Sequence, residues 1–262
     1  KLDIACDFGP TMFPEVRKAL AHLLDREAFC ETFLDGYGVV MDAPYSPDFS
    51  MWQAVKDEIE LTDYAYSPDI AKQILEEGGW IYNSKGGPYE EGAEGVDAVR
   101  YKKLTAQEAG VLDGLNKTYA VTANTGRVTY QTVEIGGEYY LPLAINWLGT
   151  ERSAATDLLT MMMAASPDVA AAGMAIRATV NGHKALLGNM YRQPEKGYEG
   201  VPVYNMFSIA VDWPDSVYDD SYCWSLDPAY DAYSSNRLYD VYDAAFPYDP
   251  SGEKLTYEEA ME

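Results

Sequence analysis

The sequence predicts an α/β fold with parallel strands at its centre. Three segments with strand character follow one another after residue 140, and a segment with helical spacing separates each from the next. Connections of this kind cross over the sheet and join parallel strands in a right-handed sense. Two amphipathic helical units precede them, and 47% of the 262 residues are hydrophobic, which suffices for a sizeable core.

The predicted strands of this sheet cover residues 140–147, 174–180 and 203–211. Apolar side chains alternate along the first strand, at Leu141, Leu143, Ile145 and Trp147. We expect Thr150 to cap the helix that follows and Asn181 to open the next one. The apolar stripe of the first of these helices is predicted at Ala154, Leu158, Met162 and Ala165.

The first helical unit near the start of the chain contains a break. One apolar face carries Val16, Leu20, Leu23 and Leu24. Asp25 is then the predicted N-cap of a second, shorter helix. Gly36 supplies the left-handed turn that ends that helix. The shorter helix presents its own apolar residues, Ala28, Phe29 and Phe33.

The second helical unit has clear start and stop signals. Ser67 is the predicted N-cap, Pro68 suits the first helical position, and Gly78 with Gly79 ends the helix. Its buried stripe is predicted at Ile70, Ile74 and Leu75. The segment 81–139 that follows is rich in glycine and acids, with a short helix and a hairpin, and we expect it to lie outside the core.

Composition excludes several classes of function. The formal net charge of −23 repels phosphate backbones, so nucleic acid is not an expected partner. The widely spaced Cys6, Cys30 and Cys223 form no CxxC pair, and neither His22 nor His183 has a second ligand at metal spacing. We therefore expect no metal and no cofactor, and we interpret both histidines as surface or packing residues.

Two motifs in fixed order resemble a known family. "VRKALAHLLDREAFCETFLDGYGVVMDAPYSPD" followed by "YAYSPDIAKQILEEGGW" is similar to the extracellular solute-binding proteins of family 5, the dipeptide- and oligopeptide-binding components of ABC importers. The break after the first helix belongs to that family's pattern. The matching positions are Arg17, Ala19, Leu20, Asp25, Arg26, Gly36, Gly38, Pro44, Pro47, Tyr66, Pro68, Ala71, Lys72, Leu75, Gly79 and Trp80.

The resemblance implies a periplasmic-binding-protein-like fold of type II. In this family the opening motif begins the second lobe, so residues 1–262 are expected to form one lobe, with a mixed sheet flanked by helices and a missing first lobe. The link after the second motif is longer than the family's, so residues 100–138 are interpreted as an inserted β-rich segment. The implied location is extracellular, anchored at the cell surface as a lipoprotein, or periplasmic.

The resemblance also implies a function. Family members hold a peptide or similar small solute between two lobes and present it to ABC permease subunits, without catalysis. The acidic and aromatic stretch "VDWPDSVYDDSYCW" falls in the ligand-facing region, and the candidate ligand-binding residues are Trp213, Asp215, Tyr218 and Asp219. An Asp near this point pairs with the ligand's α-amino group in peptide-binding relatives, and Asp215 and Asp219 are both candidates.

Other interpretations of these residues stay open at this point. The stretch can be a solvated acidic loop, and the calcium-loop pattern is absent. The abundance of acids and the 22 tyrosines also suit a carbohydrate-active hydrolase or a carbohydrate-binding surface protein. A hydrolase needs two carboxylates at a defined separation, and nothing in the sequence singles out such a pair.

Overall fold

The computed structural model describes residues 2–5, 8–42, 47–118, 132–151, 153–191 and 203–208. Its helices are α1 (Pro14–Leu23), α2 (Arg26–Phe33), α3 (Ser50–Val55), α4 (Pro68–Glu77), α5 (Ala106–Thr118), α6 (Ala154–Ala164), α7 (Pro167–Ala171) and α8 (His183–Met190). Its strands are β1 (Leu2–Ile4), β2 (Trp80–Tyr82), β3 (Tyr101–Lys103), β4 (Val133–Ile135), β5 (Glu138–Pro142), β6 (Ala144–Thr150), β7 (Ala175–Asn181) and β8 (Met206–Ser208).

The first sheet has the strand order β1-β8-β6-β7. Strand β6 pairs in parallel with both β7 and β8, while β1 is antiparallel to β8. All seven residues of β6 are buried, because helices cover both faces of this central strand. The predicted parallel layer, with helices α6 and α8 in the crossovers, is confirmed.

The predicted strand 140–147 is two strands in the structure. Its first part, β5, belongs to a second sheet of order β2-β3-β5-β4, and its second part, β6, belongs to the first sheet. The chain passes between the sheets at Leu143, whose N–H donates to Arg100 O and whose carbonyl accepts from Ala175 N. The apolar residues alternate without a break across this junction because β5 and β6 both bury side chains next to it.

The second sheet is antiparallel throughout. The predicted hairpin is β4–β5, and its two-residue turn has φ values of 62° at Gly136 and 86° at Gly137, as a type I′ turn requires. The expectation that this region lies outside the core is wrong, because Leu104 and Leu112 are buried in the same cluster as α1 and α4.

The break between α1 and α2 follows the predicted local chemistry. Asp25 Oδ1 accepts from Ala28 N at 2.9 Å, and Gly36 adopts φ 77°. Helix α1 buries its predicted face through Val16, Leu20 and Leu23. Helix α2 buries none of its residues, so the two halves of this unit differ in their packing.

Helix α4 starts and ends where the sequence places it. Ser67 Oγ accepts from Ile70 N at 3.4 Å, and Gly79 has φ 83°. The predicted stripe is only partly correct, because Leu75 is fully buried but Ile70 is 45% exposed and Ile74 only partly covered. Ala71 is buried in place of Ile70, so the buried face of α4 is rotated by one residue from the predicted one.

The face predicted for α6 is also wrong. Ser153, not Thr150, caps this helix by accepting from Thr156 N at 3.4 Å, and the buried residues are Thr160 and Met163. A polar residue is tolerated at this buried position because the Thr160 hydroxyl bonds Thr156 O within the helix and Ser208 Oγ on β8. Helix α8 is likewise capped one position later than predicted, at Gly182.

Two basic residues near β3 join the sheets to the helices. Arg100, 4% exposed, donates to Ala172 O at 2.9 Å, to Trp80 O at 3.0 Å and to Glu76 Oε1 at 3.0 Å. Lys102 Nζ lies 2.7 Å from Glu15 Oε1. These contacts tie β3 to α1, α4 and the turn after α7.

Tyr66 links the loop before α4 to α7 by donating a hydrogen bond to Asp168 Oδ2. This bond, with smaller contributions from partial burial and from the charges of Asp168 and Asp25, raises the pKa of Tyr66 to about 12. The interaction is therefore complete below about pH 10 and is lost as pH rises through the raised pKa. NMR titration of ¹³C-tyrosine-labelled protein should show a late-titrating resonance that is missing from the spectrum of Tyr66→Phe.

The matched variant for this titration is Asp168→Asn. An amide at position 168 carries no charge, so the pKa of Tyr66 should fall toward the ordinary value for tyrosine. Identical titration of Tyr66 in the two proteins would show that Asp168 does not hold the phenol proton.

Candidate functional site

The carboxyl ends of three parallel strands meet at one edge of the first sheet. Strands β6, β7 and β8 end at Thr150, Asn181 and Ser208, and Thr150 lies in register with Asn181. In open α/β sheets this edge is where ligands bind, because the loops that leave the strands converge there. We refer to it as the carboxyl edge.

A buried hydrogen-bond chain fixes the end of β8. Trp147 Nε1 donates to Ser208 Oγ at 2.6 Å, and Ser208 Oγ lies 2.8 Å from Thr160 Oγ1. The Thr160 hydroxyl donates to Thr156 O at 2.8 Å, so its single proton is used and the Ser208 hydroxyl must donate to Thr160. The point where the chain leaves β8 is thus held from β6 and α6 together.

A second buried set of contacts holds the start of β8. Asn205 N donates to Asn146 O at 2.9 Å, and Asn205 Oδ1 accepts from Asn146 N at 3.0 Å. Asn205 O also accepts from Ala5 N at 2.8 Å. Strand β8 is short, with three residues, and these backbone and side-chain hydrogen bonds supply the constraints that a longer ladder would otherwise provide.

Two acidic side chains lie near the carboxyl edge, and they differ in access. Asp157 Oδ1 is fully enclosed and has no hydrogen-bond partner among the described residues. It lies above Gly149, where an added Cβ would be 3.4 Å away. Glu151 is exposed directly after β6, with Oε1 beside Gly182 at the start of α8. Of these two carboxylates, Glu151 is the one that a ligand at this edge can reach.

The predicted ligand-binding residues follow directly from β8. Trp213, Asp215, Tyr218 and Asp219 lie outside the described residues, and Trp213 comes five positions after Ser208. Glu151 was not singled out from the sequence. Its position after a buried strand is the signal that could have identified it.

The two histidines differ in their surroundings. His22 is buried, and its Nδ1 lies 2.8 Å from Ala65 O. A carbonyl only accepts, so Nδ1 carries the proton, and the packing role predicted for His22 is confirmed. His183 begins α8 at the carboxyl edge. Within the described residues no three His, Cys, Asp or Glu side chains come together as a metal site.

The fold is that of the type II periplasmic binding proteins. The structure of NikA from Brucella suis in complex with Fe(III)-EDTA superposes with a TM-score of 0.54 and 18% identity, covering 93% of this chain. NikZ from Campylobacter jejuni in complex with Ni(L-His) gives a TM-score of 0.53 and 14% identity, covering 95% of this chain. These likenesses establish the fold, with helices flanking the sheets as predicted.

Sequence comparisons test the predicted resemblance. Residues 3–127 match the family described as bacterial extracellular solute-binding proteins, family 5 Middle. The oligopeptide-binding protein AppA of Bacillus subtilis is 42% identical over 66 residues, which are 25% of this chain and 12% of AppA. The resemblance to family 5 that the two helical motifs predict is therefore confirmed over residues 3–127.

The chain is short relative to these proteins. It spans 37% of the length of the Brucella NikA chain and 39% of the Campylobacter NikZ chain. Among the helices in the described residues, none is both long enough and apolar enough to cross a membrane.

Proposed function

We propose that this chain is one lobe of an extracytoplasmic receptor that binds a peptide or similar small solute and presents it to an ABC permease. The observation that carries the proposal is the family 5 match over residues 3–127, which includes both helical motifs. The identity with AppA, named for oligopeptide binding, favours a peptide. A carbohydrate-active hydrolase or carbohydrate-binding surface protein gains no support from these comparisons.

The geometry of the carboxyl edge supports this function. A solute receptor needs a rigid wall on which ligand-contacting loops are mounted. The buried Trp147–Ser208–Thr160 chain provides that rigidity where the chain leaves β8. We propose that the segment with Trp213, Asp215, Tyr218 and Asp219 contacts the ligand from this point.

In this proposal a carboxylate and aromatic rings recognise the ligand. Asp215 or Asp219 pairs with the ligand's α-amino group through charge-assisted hydrogen bonds, and Trp213 and Tyr218 contact its apolar parts. Residues 1–262 form one lobe, residues 100–138 are an insertion relative to the family, and a first lobe supplies the opposite wall. Catalysis plays no part in this function.

Calorimetry with a free-amine peptide and its N-acetyl form tests the amine contact. The Asp variant that removes the true partner, Asp215→Asn or Asp219→Asn, should weaken binding of the free-amine peptide about tenfold or more, because a charge-assisted bond is lost. Binding of the acetylated peptide should be weak already and unaffected by that variant. If both variants weakened binding of the free-amine and the acetylated peptide alike, neither Asp215 nor Asp219 would be the partner of the ligand's α-amino group.

The same titration tests the two-lobe arrangement. Loss of half the ligand contacts should weaken a micromolar ligand to about millimolar, which corresponds to about 4 kcal/mol. Submicromolar binding by residues 1–262 alone would show that the site lies within this chain. Ni(L-His), the ligand in the NikZ structure, serves as the comparison solute, and its preference over every peptide would redirect the proposal to metal chelates.

A further inference from the structure

Glu151 lies at the carboxyl edge, where β6 and β7 both end. Its N–H donates to Asn181 O at 3.3 Å, so the backbone still follows β7 at this point. The residue is exposed, and within the described residues its carboxylate takes part in no ion pair. A charged group without a partner in the described part of the chain therefore stands at the edge where ligands bind in sheets of this kind.

The start of α8 holds this carboxylate in place. The N-cap of α8 is Gly182, which has no side chain to accept from the first-turn N–H groups. Glu151 Oε1 lies 3.4 Å from the position that a Cβ on Gly182 would take, and Oε2 is farther than 4 Å from it. A negative group beside the positive end of a helix is stabilised there. The carboxylate is therefore positioned before any ligand binds, with one oxygen toward α8 and the other farther from it.

Asp157 adds a second negative group to the same edge. Its enclosed Oδ1 has no hydrogen-bond partner among the described residues and lies 3.4 Å from the position of a Cβ on Gly149. Gly149 and Glu151 are two positions apart at the end of one strand, which corresponds to about 7 Å. This separation is within the Debye length of about 8 Å at physiological salt. A positive group placed at Glu151 is therefore attracted by both carboxylates.

The parts of the chain outside the described residues offer few cations to this carboxylate. Residues 209–227, which follow β8 from the same edge, contain five acids and no Lys, Arg or His. Residues 192–202 connect the end of α8 to the start of β8, at the opposite edge of the sheet. Lys1 precedes β1, which β8 separates from β6. Arg152 is the basic residue next to Glu151 in the sequence, and a variant below tests whether it pairs with Glu151.

We propose that Glu151 makes this receptor select peptides with a basic side chain, whose ammonium or guanidinium group binds its carboxylate. The inference rests on the proposed function, in which Asp215 or Asp219 pairs with the ligand's α-amino group, and it adds a contact for a second positive charge. The carboxylate accepts charge-assisted hydrogen bonds from the lysine or arginine side chain of the ligand. The substrate class that follows is a peptide with at least one basic residue.

NMR titration of ¹⁵N-labelled residues 1–262 measures this preference, because the dissociation constants expected for one lobe are about millimolar. The ligands are Ala-Lys-Ala, its norleucine analogue, which has a similar side chain without the charge, and Ala-Glu-Ala. The lysine peptide should bind at least about threefold more tightly than the norleucine peptide, and the glutamate peptide should bind most weakly. The difference should shrink between about 0.05 M and 0.5 M salt, because Glu151 is exposed and salt screens its charge.

Three variants assign the preference to one carboxylate. Glu151→Gln should bind the lysine and norleucine peptides equally, with its affinity for the norleucine peptide unchanged. Lys184→Gln is the matched control, since Lys184 is exposed in the first turn of α8 at the same edge, and this variant should keep the lysine preference. Arg152→Gln should raise the preference no more than Lys184→Gln does, because each variant removes one positive charge from the edge. The ¹⁵N spectrum of each variant verifies that it is folded.

The results that overturn this inference differ from those that overturn the proposed function. Equal binding of the lysine and norleucine peptides, or a lysine preference that persists in Glu151→Gln, contradicts the inference while peptide binding itself is observed. Tighter binding of Ala-Glu-Ala also contradicts it, because the helix ends at this edge would then bind an anion. A much larger gain in Arg152→Gln than in Lys184→Gln would mean that Arg152 occupies the carboxylate. Absence of binding by all three peptides would contradict the proposed function and this inference with it.

Discussion

Replacement of Leu20 by Asp should lower the free energy of unfolding of this chain by at least about 4 kcal/mol. Leu20 lies on the inner face of α1, is 4% exposed and belongs to the main core cluster. The substitution removes a buried apolar side chain and places a carboxylate where the core offers no compensating charge. Urea denaturation followed by circular dichroism measures the effect.

Ile70→Asp is the matched control for this experiment. Ile70 lies on α4, which packs against α1, and belongs to the stripe that the sequence predicts to be buried, but its side chain is 45% exposed. The change should cost about 0.5 kcal/mol or less. If both variants lost the same stability, the orientation of α4 in the structure would be wrong.

Replacement of Arg100 by Met should cost about 3 kcal/mol. Two backbone carbonyls, Ala172 O and Trp80 O, would lose their donor in a buried environment. The guanidinium also lies 4.5 Å from the centre of the Tyr89 ring, so an attractive contact disappears with it. The partner Glu76 is 56% exposed, and that ion pair adds little.

The control for Arg100 is Lys103→Met, at the end of the neighbouring strand β3. Lys103 pairs with Glu138 at 2.6 Å, but the two side chains are 42% and 50% exposed. Its removal should leave the midpoint of urea denaturation nearly unchanged, because ion pairs between solvent-exposed side chains contribute little to stability. Equal losses from the two variants would mean that Arg100 does not join the sheets as the structure indicates.

The start of α2 and both ends of α4 could be predicted because their causes are local. Asp25, Ser67 and the Gly78–Gly79 pair act on backbone groups within four positions of themselves. The caps and turns they form were therefore correct without knowledge of the tertiary fold. The parallel layer formed by β6, β7 and β8 through two crossovers was also correct, because strands joined by helical crossovers lie parallel.

The failures arise where a distant residue decides the outcome. The strand at 140–147 divides at Leu143 because its first half pairs with β3 and its second half with β7. The apolar pattern of a single segment cannot show that the segment pairs with two different sheets. The buried face of α6 was predicted wrongly because Thr160 forms a hydrogen bond with Ser208, 48 positions away in the sequence. The spacing of residues along a helix does not distinguish a threonine whose hydroxyl is buried against a distant partner from one exposed to solvent.

The candidate site was predictable only in part. The candidate ligand-binding residues Trp213, Asp215, Tyr218 and Asp219 come from the family resemblance and lie outside the described residues, so they stay a prediction. Glu151 could not be identified from the sequence, because its place at the edge depends on the end of β6 lying beside the start of α8. The Trp147–Ser208–Thr160 chain joins three elements, and none of its members has a sequence pattern that indicates the others.

The pairing of β1 with β8 also governs how the chain acquires its fold. Leu2 lies opposite Ser208 and Ile4 opposite Met206, so the first and last strands of the sheet are separated by almost the whole described sequence. Contacts of such high sequence separation form slowly, because a long loop must close first. During synthesis one edge of β6 stays unpaired until residue 208 has left the ribosome, and an unpaired apolar edge invites aggregation. A holding chaperone should therefore bind nascent chains that end before β8 more strongly than chains that include it.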